Sequence, residues 1–136
     1  MNTGHDGSLT TIHANTPRDA LTRIETMVSM AGLQLPIKAL RAQIASAVNI
    51  VVQVERQEDG RRRLVSIHEV NGMEGDVITT SELFTFERSG LDKGGNVLGR
   101  HRPTGIVPGF FRVFAAKGIP LPAEVFDVDA PATRRS

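Results

Sequence analysis

Two imidazoles near the start of the chain, His5 and His13, are the first residues that invite a chemical reading. A neutral imidazole offers one hydrogen-bond donor and one acceptor, and a protonated one offers two donors. Beside the end of a strand, two such rings suit the oxygens of a phosphate, including the γ-phosphate of a nucleotide. With Asp6 they also outline a metal pair, but no third firm ligand is visible in the sequence. Taken singly, they are what any polar loop and strand end would carry. Their setting singles them out: TGH, then TTIHAN, then a helix opened by proline.

The other polar clusters read more plainly. Arg61, Arg62 and Arg63 stand beside Gly60, where a hairpin tip would meet phosphate, lipid head groups or a partner subunit. Against that stands a solvated turn facing Glu55, Glu58 and Asp59, which is the reading the sequence favours. His68, between Ile67 and Glu69, reads as structural. His101, between Arg100 and Arg102, reads as exposed. No Ser-His-Asp pattern and no paired carboxylates can be argued.

The elements that must position the histidines follow from periodicity. Leu9 to Ala14 is short and rich in Thr and Ile, as strands are. Alternation puts Leu9, Thr11 and His13 on one face and Thr10, Ile12 and Ala14 on the other. Thr16 then Pro17 predicts a helix start. Leu21, Ile24, Met27, Val28 and Ala31 form its apolar stripe, and Gly32 ends it. Pro36 opens a second helix with Ile37, Leu40, Ile44 and Val48 inward. The short link makes the two helices antiparallel neighbours.

From Asn49 the period changes to that of strands. Ile50–Val54 and Arg62–Val70 flank a turn at Glu58-Asp59-Gly60. Asn71–Gly75 reads as a turn, Asp76–Thr80 as a strand and Ser81–Phe84 as one helical turn. Phe84–Glu87 then reads as extended, Ser89–Asn96 as a Gly-rich loop and Val97–Arg102 as the last strand. Pro108 begins a final helix packing Phe110, Phe111, Phe114 and Ala115, stopped by Gly118. Residues past Phe126 read as a loose tail.

Composition narrows the class. The chain has 136 residues, 40% apolar and 23% charged, ordinary values for one globular domain or part of one. Sixteen basic and fifteen acidic residues leave a net charge of +1, which opposes nucleic acid as a partner. Cysteine is absent, which rules out thiolate sites and disulfides. No apolar run approaches the roughly 20 residues of a membrane helix, and no leader pattern opens the chain. The six Phe sit in apolar patterns that suit core packing better than base stacking.

TGHDGSLTTIHANTPRDALTRIETM resembles the histidine-box segment of the secretion ATPase superfamily. These are the hexameric motors of type II and type IV secretion and of pilus assembly. The CpaF-type branch, which drives Tad (Flp) pilus assembly, is the nearest likeness. NIVVQVER, RRLVSIHEVNGMEGDVITTSELFTFER and GRHRPTGIVPGFF continue in that branch's order, so the likeness runs from about Asn2 to Phe126. It implies an α/β fold, the C-terminal part of a RecA-like P-loop NTPase domain. A histidine-box strand, two helices, antiparallel strands and a final helix would make it up, over residues 1–126 with a tail at 127–136.

The likeness implies roles as well. His5 and His13 would sit on the phosphate side of bound nucleotide, with Thr3 and Gly4 shaping the approach. Arg18 and Arg23, on the helix after the box, become candidates for subunit contacts; a solvated face paired with Asp19 and Glu25 is the plainer reading. ATP and Mg²⁺ would be the cofactors. Other subunits of a hexameric ring and inner-membrane platform proteins would be the partners, on the cytoplasmic side of that membrane.

No GxxxxGK[ST] phosphate loop occurs in the 136 residues, and no strand ending in paired acids precedes the box. Phosphoryl transfer needs both. The expectation is therefore a segment that follows those motifs in the family, with no catalytic residue of its own and no ATP hydrolysis alone. A non-enzymatic module that binds the parent ATPase or a pilus-machinery partner is the alternative.

Overall fold

The computed structural model describes residues 7–130. Thr16 starts the first helix as its sequence predicts: the hydroxyl accepts the backbone N–H of Asp19 at 3.0 Å. Pro17 needs no partner at the first helical position. Helix α1 (Pro17–Met30) runs from there and closes with Ala31 N–H on Met27 O at 3.1 Å. Gly32 then takes φ 83°, which any side chain would resist. Helix α2 (Ile37–Ala47) follows Pro36 and ends with Val48 N–H on Ile44 O at 2.9 Å.

Four strands form one antiparallel sheet in the order β1-β2-β3-β4. They are β1 (Ile50–Arg56), β2 (Arg62–Glu74), β3 (Val77–Leu91) and β4 (Val97–Pro103). A short helix α3 (Phe110–Ala116) and a 3-10 turn (Ala123–Phe126) complete the chain. The mixed α/β class is as expected. No helix among the described residues is long and apolar enough to cross a membrane.

The chain packs as two compact units: residues up to 53 with 68–80, and 54–67 with 81 onward. In the first unit, Leu21 of α1 and Leu40 and Ile44 of α2 bury against Val70 and Ile78. Ile24, Val28, Ala45, Val48, Val51 and Met73 surround them. Burying one such aliphatic side chain contributes about 1.5–3 kcal/mol. The apolar stripe is narrower than its pattern implies, because the exposed Met27, Ala31 and Ile37 fall outside the contact.

In the second unit, Leu83, Val97, Pro108 and Phe126 are buried. Phe126 receives the rings of Phe84 and Phe111 at centroid distances of 5.7 and 6.1 Å. Thr104 donates its hydroxyl to Glu82 O at 2.6 Å and its N–H to Leu83 O at 2.9 Å.

Four expectations are corrected, the first being that the Gly-rich loop begins at Ser89: Ser89–Leu91 belong to β3, with Leu91 opposite Val97. Ser81–Phe84 is not a helical turn, and the strand does not stop at Thr80. Both belong to the single strand β3, whose later half is fixed by pairing with β4 (Phe84 opposite Pro103, Thr85 opposite Arg102). The turn after β2 shrinks to Gly75 and Asp76, with Gly75 at φ 60°, so Asn71–Glu74 remain strand. Leu9–Ala14 is not a strand and joins no sheet. A strand is a hydrogen-bonded state, and no sheet edge among the described residues pairs with this segment.

Candidate functional site

Thr3, Gly4 and His5 lie outside the described residues, so His13 carries the structural reading of the box. Its segment keeps the predicted alternation without a partner strand. Ile12 and Ala14 are half-buried, while Thr11, His13 and Asn15 are exposed. Among the described residues, no backbone–backbone hydrogen bond ties residues 7–15 to the rest. Their hydrogen-bond tie, beside the packing of Ile12 and Ala14, is a side chain. Gln53 of β1 donates its Nε2 to Ala14 O at 3.1 Å and to Asn15 O at 3.3 Å. Gln53 is only 9% exposed, one of two buried polar residues in the described chain. A buried amide without partners costs about 1–3 kcal/mol, so these bonds are what makes its position tolerable.

The segment therefore presents an exposed imidazole, exposed hydroxyls at Thr10 and Thr11, and unpaired backbone N–H groups. These are donors, and donors suit phosphate oxygens. Residues 7–18 carry no carboxylate, so they offer Mg²⁺ no charged ligand.

Arg18 and Arg23 lie exposed on α1. No ion pair among the described residues uses either. Glu25, read as their neighbour, belongs instead to Arg41 of α2. Arg41 Nε donates to Glu25 Oε2 at 3.0 Å and Nη2 to Oε1 at 3.1 Å, a bidentate pair. Its Nη1 reaches Asp76 O at 3.0 Å. One guanidinium thus links α1, α2 and the β2–β3 turn, and it leaves the two α1 arginines with solvent.

The arginine triplet is divided. Arg63 turns inward and binds Asp59 twice, at 2.8 and 2.7 Å, with Gln57 Oε1 at 2.9 Å. Asp59 also accepts the N–H of Arg61 at 3.0 Å and of Val97 at 2.9 Å. Four N–H groups on one carboxylate hold Asp59 well below its ordinary value, the Arg63 bonds first and the Val97 amide next. The β1–β2 turn is thereby clasped to the start of β4. Arg61 and Arg62 remain exposed, as a solvated tip would have them. His101 is exposed but engaged: Nε2 donates to Leu64 O at 2.8 Å, and its ring lies 5.2 Å from that of Phe86.

Sequence reasoning missed Gln53, and it set the arginine triplet opposite Asp59 without finding that Arg63 turns inward to form a clasp with it. The signal for Gln53 was present: it is the one polar residue within IVVQV, at a position that alternation turns inward. The clasp left no comparable trace, since its third member is a backbone amide at residue 97.

The chain belongs to the type II/IV secretion system protein family, whose model matches residues 1–91. Among curated relatives, a Mycobacterium tuberculosis protein named for conjugal transfer is 40% identical over 77 residues, covering 57% of this chain and 21% of its own length. The conjugal transfer protein TrbB of Rhizobium radiobacter is 43% identical over 67 residues, 49% of this chain and 20% of that protein. The matched stretch thus spans about a fifth of either relative.

Proposed function

We propose that this chain is the histidine-box segment of a secretion-system ATPase, with His13 facing the phosphates of a nucleotide bound elsewhere in the enzyme. The observation that carries the reading is the exposed imidazole on a segment rich in free donors and anchored from beneath by Gln53. Membership of the family supports it. ATP with Mg²⁺ would be the cofactor, the metal held by acidic residues outside this segment. Subunits of a ring ATPase and inner-membrane platform proteins would be the partners, on the cytoplasmic face. GRHRPTGIVPGFF, past the matched residues 1–91, resembles the CpaF branch in its order, which favours Tad pilus assembly as the system served. Arg18 and Arg23, exposed and without ion pairs in the described chain, would be available to a neighbouring subunit.

The test is titration with a fluorescent ATP analogue. The chain alone should not bind it. Mixed with a polypeptide carrying the phosphate loop and acidic motif of a family member, it should bind. His13→Ala should then weaken that binding about tenfold, as loss of one hydrogen bond to a charged group would. Binding in the mixture that ignores His13→Ala would leave only the interaction-module reading.

A further inference from the structure

We propose that Gln53 is the positioning residue of the histidine box, setting where His13 stands by holding the carbonyls of Ala14 and Asn15. The proposal rests on the phosphate-facing reading above and adds a residue which that reading does not require.

Gln53 occupies an inward position of β1 where an aliphatic residue would pack without penalty. Val51, two residues earlier on the same face, packs against the apolar core. An amide there needs a reason, and its Nε2 supplies one. Both contacts fall on consecutive carbonyls, Ala14 O and Asn15 O. Immediately after them Thr16 caps α1, so the chain is fixed from that point on. Before them, nothing in the backbone ladder reaches residues 7–15. Gln53 is therefore the last fixed point before the free segment. His13 immediately precedes Ala14, the first residue that Gln53 holds, one Cα–Cα step of about 3.8 Å away.

The chemistry is specific to glutamine. Only a donor can meet two carbonyl oxygens. Asparagine is one methylene shorter. Glutamate, when ionised, would set a carboxylate against two oxygens and repel them. When protonated it would regain a single donor. Leucine would fill the volume and leave the carbonyls to water.

The first measurement is backbone ¹⁵N relaxation on the full chain. In Gln53→Leu the order parameters of His13, Ala14 and Asn15 should fall from about 0.85 to below about 0.6, with the melting temperature retained. In Gln53→Glu they should be low at neutral pH and recover as acid protonates the new carboxyl. A residue that merely fills space would show no such recovery. Unchanged order in Gln53→Leu overturns the proposal.

The second measurement uses the reconstituted mixture. Gln53→Leu should weaken nucleotide binding about as much as His13→Ala, and the double variant should lose little more. Fully additive losses overturn the proposal. If the segment loosens but His13→Ala changes nothing, the anchor stands and the phosphate reading is what fails.

Discussion

Asp59 shows how one side chain can do what neither the turn nor the strand does alone. Its side chain is 2% exposed, yet it stays ionised because Arg63 and the backbone N–H groups of Arg61 and Val97 surround it. Its folded-state pKa lies below the ordinary 3.8, so its stabilising effect is complete above about pH 4. That effect drains away as pH falls further toward the folded value. Asp59→Asn should therefore melt several degrees below the wild type at pH 7, because Arg63 loses its counter-ion. The gap should narrow steadily below pH 4. Melting temperatures of both proteins across that range check this; a gap independent of pH would contradict it. Asp92 makes a smaller version of the same device. Its carboxylate is also lowered, by Asn96 first, and it accepts the N–H groups of Gly94 at 2.9 Å and Asn96 at 2.8 Å.

At the scale of elements, the helices were legible and the strands were legible only in part. Thr16-Pro17, Gly32 and Pro36 punctuate the chain locally, and helix hydrogen bonds close within four residues. Local sequence is thus enough to place α1 and α2. Strand limits depend on partners that lie far along the chain. Ser81–Phe84 has no strong local preference and becomes strand because residues near Pro103 lie alongside. Leu9–Ala14 has every local preference for a strand and remains unpaired. The site divides the same way. His13 stood out through its motif, while Gln53 matters through a contact 39 residues away in sequence.

The two sheet edges differ in kind. β4 carries Arg100, Arg102 and a terminal Pro103, residues that discourage another strand from adding. β1 carries Ile50, Val52 and Val54, which are 37%, 50% and 52% exposed. Such an edge invites pairing between copies. Val52→Lys should lower the fraction of dimer and larger species in sedimentation runs without altering the circular dichroism. An unchanged distribution would clear β1 of that role.

At the scale of the whole molecule, the described chain supports itself on two modest cores, each formed from a handful of buried side chains. It belongs to a family of secretion machinery and matches about a fifth of its conjugal-transfer relatives. A net charge of +1 gives it no long-range field with which to collect polyanions. Among the described residues, the box segment is where backbone donors lack backbone partners.

That segment has one more consequence, for handling. Proteases bind their substrates as extended, unpaired backbone, which is the form residues 7–15 offer, with Leu9 fully bared. Subtilisin should make its first cut before Thr16, as intact-mass spectrometry would show; a first cut in the β1–β2 turn would contradict this. The trimmed chain would keep its three helices and the sheet, and by spectroscopy would pass for whole. A cut after His13 would remove the imidazole to which a phosphate-facing role is proposed above, so sound folding would not by itself establish competence.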